Sequence, residues 1–458
     1  MVVLLDVVEE SWAALTGGDD GVAAAVEVSG PGGVLSSRFA VEQIAVACVA
    51  TALRAAVALR PGPMAASVRL ERGHVADAFR SERFFRLDGR AAGAGFAPLS
   101  RFWPAADGWV RTHANYPWHR RALLNALAVP DDAATVSDMV GEEVAQLGCE
   151  EVEQRVFAAG GVGAAVRSFD EWSRHAQGQA VAREPLVGCD IVANAPPRPA
   201  RQRLRVLDLT RVIAGPVCTR LLGALGADVL RVDAPRHGDM APGSFSDTLL
   251  AKRSCILDLK TPEGSDRLHA LLDDADIVVQ GYRPGALDRF GLSAEQIAER
   301  HPGTVVVILS AWGHEGPWAG RRGFDSVVQG ATGLAAGESL DGREPGALPC
   351  QLLDHGTGYL AAAAALDGLR RQRRHGGTVI RRVSLARTAW WVATTPAGPA
   401  PESMIDDRSS RFLVEIPANG HTLVAVPPPG SIAGEQLRWP HAGHGYGTDP
   451  PSWDSLHV

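Results

Sequence analysis

Between residues 204 and 309, short strand-like runs alternate with helical stretches, and this alternation restricts the fold more than any other feature of the chain. Strands are predicted at residues 204–209, 228–232, 254–259, 277–280 and 304–309. Helices are predicted between them, at residues 216–225, 263–273 and 294–299. Strands and helices that alternate in this way build an α/β fold with a doubly wound parallel sheet, a Rossmann-like core. Ligands of such sheets bind at the carboxyl ends of the strands.

A proline-rich, cationic stretch at residues 193–203 separates this region from the first part of the chain and is interpreted as a linker. The residues before it predict a smaller α+β domain. Its predicted elements are helices at 41–59, 119–127 and 142–159 and a strand at 109–113. We therefore expect a small domain at 1–192, the linker at 193–203, a core domain at 204–395 and a Pro/Gly-rich C-terminal segment at 396–458.

Composition excludes several classes of protein. The net charge of -7 over 458 residues argues against a nucleic-acid-binding protein. The six cysteines form no C-x-x-C pair, and the histidines show no metal spacing, so we expect no metal and no disulfide framework and a reducing, cytoplasmic location. The first ten residues lack the basic start of a signal peptide, and no apolar run reaches the roughly 20 residues that span a bilayer, so no membrane partner is expected.

Two common kinds of active site are not supported by the motifs. The loop after the first core strand, residues 210–216, has one glycine and no G-x-G-x-x-G, which argues against a nicotinamide dehydrogenase. The sequence has no G-x-S-x-G elbow, so an α/β-hydrolase is not indicated either.

Basic residues follow the ends of several predicted core strands. They are Arg283, Arg289, Lys260 and Arg322. Each alone is typical of a solvated surface, but together they would suit an anionic ligand such as a phosphorylated nucleotide.

A second candidate site is Asp354, which follows an apolar, strand-like run and precedes Gly356, Gly358 and an alanine-rich stretch. An aspartate at the start of a helix is often only an N-cap. The alternative is a nucleophilic carboxylate, with the glycines admitting a bulky substrate and the helix N-terminus stabilising an oxyanion.

Taken together, these segments resemble the class III CoA-transferases, the family that includes formyl-CoA and carnitine CoA-transferases and the 2-methylacyl-CoA racemases. The resemblance rests on a set of spaced motifs. They are V-L-D-L-T-R-V-I-A-G-P (206–216), L-G-A-D-V-L-R-V-D-A-P (225–235), K-R-S-C-I-L-D-L-K-T-P-E-G (252–264), A-D-I-V-V-Q-G-Y-R-P-G (275–285), L-D-R-F-G-L (287–292), G-H-E-G-P-W (313–318) and R-G-F-D (322–325).

The resemblance implies that Asp354 is the acyl-accepting aspartate and that CoA or acyl-CoA binds as substrate. It places the CoA contacts at Ile213, Ala214, Leu257, Lys260, Gly281, Tyr282, Arg283, Arg289, Arg322 and Phe324. It also implies a homodimer, because family members form interlocked homodimers.

This chain departs from the family pattern in three ways. Ala234 stands where some members have an arginine near the adenine, and Gly281 replaces the usual asparagine of a turn. The block before the linker resembles the small domain that normally follows the core, in residues 102–111, 158–172 and 175–178, which indicates a rearranged domain order. The glycine-rich loop that covers the family's aspartate is not recognisable.

The function this implies is transfer of CoA from an acyl-CoA donor to a free carboxylic acid, through an aspartyl anhydride and an aspartyl-CoA thioester. One alternative is a 2-methylacyl-CoA racemase, although those relatives have histidine where this chain has Phe324. Another is a non-catalytic CoA-binding or interaction subunit.

Overall fold

The structure is a computed structural model that describes residues 2–18, 24–60, 67–91, 95–131, 135–236, 238–397 and 410–453. The described strands are β1 (Val26–Ser29), β2 (Val68–Glu71), β3 (Arg86–Leu87), β4 (Arg90–Ala91), β5 (Phe102–Ala105), β6 (Gly108–Thr112), β7 (Gly163–Ala165), β8 (Gly188–Val192), β9 (Arg205–Leu209), β10 (Asp228–Asp233), β11 (Arg253–Ile256), β12 (Ile277–Gln280), β13 (Val305–Ser310), β14 (Thr378–Ser384), β15 (Val414–Ala418), β16 (His421–Ala425), β17 (Ser431–Ile432) and β18 (Glu435–Gln436).

The described α-helices are α1 (Val2–Thr16), α2 (Val41–Leu59), α3 (Arg72–Ala78), α4 (Ser81–Phe84), α5 (Pro117–Ala126), α6 (Val136–Ala145), α7 (Cys149–Ala158), α8 (Phe169–Arg174), α9 (Ala176–Arg183), α10 (Ala214–Ala224), α11 (Pro262–Asp273), α12 (Ala294–Arg300), α13 (Asp325–Ala331), α14 (Leu334–Gly337), α15 (Leu352–His375) and α16 (Leu385–Thr394). Short 3-10 helices lie at Asp247–Leu249 and Asp288–Phe290.

The main sheet confirms the predicted doubly wound parallel α/β fold. Its strands lie in the order β11-β10-β9-β12-β13-β14-β8. The strands from β9 to β14 are mutually parallel, and β8 pairs antiparallel with β14 at the edge. Since the winding direction reverses between β9 and β12, a crevice is expected at the carboxyl ends of these two strands.

The predicted core elements agree with the observed ones within about three residues, because each buried strand carries β-branched residues and each helix has a clear stop. Val305, Val306 and Val307 of β13, for example, are fully buried. The buried helix predicted at 41–59 and the strand predicted at 277–280 match α2 and β12 at both ends.

The single helix predicted at 142–159 is wrong, because the structure has two helices, α6 and α7, in this region. Gly148 takes an extended conformation, with φ -70° and ψ 151°, immediately before α7. Asp107 Oδ1 accepts the N–H of Cys149 at 2.7 Å, which satisfies a free amide at the start of α7. The break therefore depends on a contact with a distant turn, and the local pattern does not reveal it.

Helix α15 lies at the centre of the protein and packs against both α2 and α10. Its alanines from Ala361 to Ala365 are fully buried, as is most of α2. A Cβ added at Gly358 would lie 2.5 Å from the carbonyl oxygen of Ala214, so only glycine lets α15 approach α10 this closely. Among the described residues, α2 is also the one helix long and apolar enough to span a bilayer by length and composition, and 83% of its apolar 18-residue window is buried inside the protein.

The parts of the chain predicted as separate domains also share elements. Strand β8, from the predicted small domain, joins the main sheet, and α2 contributes to the same apolar core as α15. After residue 410, β16 pairs with β3 and β17 pairs with β2. Residues 193–203 form no helix or strand, but Ala195 accepts the N–H of Gly377 at 2.7 Å. The predicted boundaries themselves stay a prediction.

Candidate active site

A cleft of about 910 Å³ opens at the carboxyl ends of the parallel strands, where the sheet reverses its winding. Its wall includes residues at or just after the ends of four strands, namely Leu209, Asp233, Gly281 and Ser310. The first residues of α10 and α15 close its inner side through Ala214, Gly215 and Asp354.

The loop between β9 and α10 is shaped by tight and strained backbone. Val212 lines the cleft and has a φ of +68°, which is rare for a β-branched residue. A Cβ added at Gly215 would lie 2.2 Å from Cβ of Thr210, so this position also requires glycine. Strain of this kind is typical of sites held in shape for a ligand.

The predicted CoA-contact residues surround this one cleft, with one exception. Its wall includes Ala214, Leu257, Lys260, Gly281, Tyr282, Arg283, Arg289, Arg322 and Phe324. The exception is Ile213, which is half-buried and does not line the cleft, although its neighbours Val212 and Ala214 do. The side chains of Lys260, Arg283, Arg289 and Arg322 are exposed, so the cleft is cationic and open to solvent.

The sequence analysis missed three further arginines of the wall, Arg211, Arg236 and Arg321. Arg211 is held by Asp239, whose Oδ1 accepts its Nε–H at 2.8 Å and its Nη2–H at 2.6 Å. Tyr116 donates its hydroxyl to the same oxygen at 2.7 Å. Arg211 lies two residues after the end of β9, so its position near a strand end was a signal in the sequence that could have identified it.

The part of the chain before the predicted linker also contributes to the cleft, through Tyr116, Trp118 and His119. The ring of Phe324 stacks on His113, with centroids 3.8 Å apart and planes 6° apart, and meets His119 edge-on at 5.7 Å. Burial, followed by the charges of Arg322 and Arg211, lowers the pKa of His119 to about 4, so its ring is uncharged at neutral pH. The aromatic side chains of this wall are therefore uncharged, and the guanidinium of Arg211 lies over the rings of Tyr116 and Trp118.

Asp354 lies in the first turn of α15, at the inner end of the cleft, and is 5% exposed. Gln351 is the N-cap of this helix, so Asp354 is not the N-cap residue that the sequence allowed as one interpretation. Within the described residues the Asp354 carboxylate accepts no hydrogen bond, whereas its backbone N–H donates to Asp325 Oδ2 at 2.9 Å. Burial and then the charges of Asp325 and Glu82 raise the pKa of Asp354 well above its ordinary value.

The glycines after Asp354 do not have the role proposed from the sequence. Gly356 and Gly358 lie inside α15 and are buried, so they do not form an access loop in front of the carboxylate. Gly358 is needed for the close packing on α10, and a Cβ at Gly356 would touch Sγ of Cys48 at 3.4 Å. The helix also begins earlier than predicted, at Leu352, and the run before it is not a strand.

A neighbouring carboxylate comes from the first part of the chain. Glu82 of α4 accepts a hydrogen bond from Nε2 of His355 at 3.1 Å, and His355 directly follows Asp354. The candidate site thus combines a carboxyl group from α15 with acidic and aromatic side chains from before residue 120. Among the described residues, no group of three or more His, Cys, Asp or Glu side chains could hold a metal ion.

Comparison with known proteins connects this cleft with a family. Residues 202–411 match the model of CoA-transferase family III. The matched region contains both Asp354 and all the predicted CoA-contact residues.

Individual relatives agree with this match. An acyl-CoA transferase of Gibberella moniliformis is 32% identical over 311 residues, which are 62% of this chain and 54% of the relative. A probable fatty acyl-CoA transferase of Mycobacterium tuberculosis is 32% identical over 194 residues, 40% of this chain and 49% of the relative. A formyl-CoA:oxalate CoA-transferase of Rhodopseudomonas palustris is 36% identical over 185 residues, which are 38% of this chain and 43% of the relative. The chain thus spans about half the length of these relatives.

Proposed function

We propose that this protein is an enzyme that transfers CoA from an acyl-CoA donor to a free carboxylic acid, with Asp354 as the nucleophile. The observation that carries the proposal is the position of Asp354 at the inner end of a cationic cleft in the region that matches family III, as a nearly buried carboxyl group that accepts no hydrogen bond from the described residues. The relatives named above are described as acyl-CoA or CoA-transferases, which supports the same reaction class.

The proposed reaction keeps the free energy of the thioester in covalent intermediates. The Asp354 carboxylate attacks the thioester carbonyl, the C–S bond breaks, and CoA leaves as thiolate with an acyl-aspartyl anhydride on the protein. The thiolate then attacks the aspartyl carbonyl, which releases the donor acid and forms an aspartyl-CoA thioester. The acceptor carboxylate repeats the two steps in reverse order, leaving as its own CoA thioester and regenerating Asp354.

The cleft suits the two ends of acyl-CoA. Lys260, Arg283, Arg289 and Arg322 offer exposed cations to a phosphorylated nucleotide, while the aromatic wall and Asp354 lie towards the acyl end. Contacts to the distant nucleotide can orient the thioester for attack. Because the first part of the chain supplies Tyr116 and its neighbours, we propose that it takes the place of the family's small domain in a rearranged order.

Asp354→Asn tests this proposal, because the substitution keeps the size of the side chain and removes the attacking charge. We expect CoA transfer to vanish, with CoA binding and melting temperature retained. Asp170→Asn, at a side chain that is 86% exposed, is the matched control and should keep full activity. Treatment of the acyl-CoA-loaded wild type with hydroxylamine should give a hydroxamate in the peptide containing Asp354.

An active Asn variant, or a hydroxamate on another carboxylate, would contradict the assignment of Asp354. Absence of any label from acyl-CoA would favour a non-catalytic binding subunit. Deuterium exchange at the α-carbon of the substrate without CoA transfer would favour the racemase. We further propose a homodimer, which light scattering of the full chain checks directly.

A further inference from the structure

A second buried carboxylate, Asp325, lies directly against the backbone of Asp354. It is the first residue of α13 and is fully buried. Its Oδ2 accepts the N–H of Asp354 at 2.9 Å, and its Oδ1 accepts a hydrogen bond from Nε2 of Gln329. It therefore satisfies a free amide in the first turn of α15, the turn that carries the candidate nucleophile.

Gln329 extends this connection to the segment before α15. While its Nε2 donates to Asp325, its Oε1 accepts the N–H of Leu348 at 2.9 Å. Two side chains of α13 thus hold the backbone on both sides of the start of α15. Gln329 contacts Leu348 before the helix, and Asp325 contacts Asp354 in its first turn. A change at Asp325 would shift the position of Asp354 even though Asp325 is not in the cleft wall.

The charge of Asp325 also acts on Asp354. Its hydrogen-bond donors are the amide side chain of Gln329 and backbone N–H groups of α15, none of which carries a charge that would neutralise it. Burial raises the pKa of Asp325 to about 6, and the charges that face the pair are Glu82, His355 and the buried Arg111. After burial itself, the charge of Asp325 is the largest cause of the raised pKa of Asp354.

We propose that Asp325 is a positioning residue for Asp354, which orients the first turn of α15 through its hydrogen bond and keeps the nucleophile reactive through its negative charge. The inference rests on the proposed function, in which the Asp354 carboxylate attacks a thioester. A carboxylate beside a second buried negative charge binds a proton more tightly, and a more basic carboxylate is a better nucleophile. The same charge requires a higher pH before Asp354 is ionised.

Asp325→Asn separates the charge from the hydrogen bond. The amide oxygen still accepts the N–H of Asp354, but the introduced NH₂ group then faces the NH₂ group of Gln329. The double variant Asp325→Asn with Gln329→Glu removes this clash, because one oxygen of the introduced carboxylate accepts from the introduced amide and the other accepts the N–H of Leu348. It keeps the hydrogen bonds and moves the negative charge one side chain away from Asp354.

The first measurement is the pH dependence of Asp354 acylation, followed by hydroxamate trapping in a single turnover. In Asp325→Asn the acidic limb should move to lower pH by about one unit or more, the scale of close carboxylate pairs. The plateau rate should fall about threefold per unit, for a nucleophile with a Brønsted slope near 0.5. The double variant should show a smaller shift and a melting temperature close to wild type.

The second measurement needs no turnover. Infrared spectra of the unliganded protein titrate the protonated carboxyl band of Asp354, identified by its loss in Asp354→Asn. This band should also disappear at lower pH in Asp325→Asn than in wild type. Asp341→Asn is the matched control, because Asp341 likewise accepts backbone N–H groups but lies in an exposed turn, and its spectra and pH profile should match wild type.

An Asp354 titration that is unchanged in Asp325→Asn would overturn the proposal, whatever the stability of the variant. The infrared result stands apart from the proposed function. If wild type formed no hydroxamate at all, CoA transfer through Asp354 would be refuted, while the titration would still decide whether Asp325 controls its protonation.

Discussion

Replacing Lys252 by Met should destabilise the protein strongly, because Lys252 is half of an ion pair buried beneath the cleft. Its Nζ donates to Asp208 Oδ2 at 2.9 Å and to the carbonyl of Pro216 at 3.0 Å. Both side chains of the pair are 0% exposed. Thr210 and Thr219 donate their hydroxyls to Asp208 at 2.5 Å and 2.6 Å, so this carboxylate ties β9 to α10 across the strained loop.

The size of the effect follows from the burial of the charge that is left behind. Removing one partner of a buried ion pair costs about 3–5 kcal/mol, because the remaining charge is uncompensated. A cooperative chain of 458 residues has an unfolding entropy of about 1 kcal/mol per kelvin, at about 2.1 cal/mol/K per residue. Lys252→Met should therefore lower the melting temperature by about 3–5 °C.

Scanning calorimetry at neutral pH of Lys252→Met, Asp208→Asn and the double variant measures this effect. Because the double variant leaves no unpaired charge, it should be more stable than Lys252→Met, which gives a coupling energy for the pair. Lys260→Met, at an exposed lysine of the cleft, is the matched control and should have the melting temperature of the wild type. A Lys252→Met protein that melts within about 1 °C of wild type, or a double variant no more stable than it, would refute this reasoning.

Two further predictions concern the cleft wall. Arg289→Ala should raise the Michaelis constant for acyl-CoA by about three- to tenfold with little change in kcat, since an exposed charge is partly screened by solvent and contributes about 0.5–1.5 kcal/mol. The control is Arg90→Ala, at an exposed arginine outside the cleft. Equal CoA affinity in the two variants would contradict the placement of the nucleotide beside Arg289. His119→Gln should leave the pH dependence of kcat/KM between about pH 6 and 8 unchanged, because burial, Arg322 and Arg211 lower the pKa of His119 to about 4. Loss of a titration in that range in the variant would show that His119 ionises near neutrality.

The core sheet could be predicted from the sequence because its signals are local. Strands β12 and β13 consist mainly of buried β-branched residues, β9 and β10 carry buried valines and leucines, and the helices between the strands end at recognisable positions. The break between α6 and α7 could not be predicted in the same way. It depends on the contact of Asp107 with Cys149, which are 42 residues apart.

The candidate site shows the same division. Several residues of the cleft wall follow strand ends closely, so the topology of a doubly wound sheet places Gly281 and Arg283 without further information. Asp325 was not predicted as a site residue, because its partner Asp354 is 29 residues away and no local pattern connects them. Tyr116 and Glu82 were missed because a sequence does not reveal which surface of one region meets another.

The position of Asp354 depends on both parts of the chain through the packing of α15. Most of this helix is buried, with α10 on one side and α2 on another, so its central turns have no solvent-exposed face. Without residues before 193, the buried alanines of α15 that meet α2 would be exposed, and apolar burial is the main source of stability. The predicted linker therefore separates two regions of different composition that share one apolar core. Since the same first region supplies Glu82 beside His355 and Tyr116 on Asp239, the geometry of the cleft and the stability of the helix that carries Asp354 arise from the same contacts.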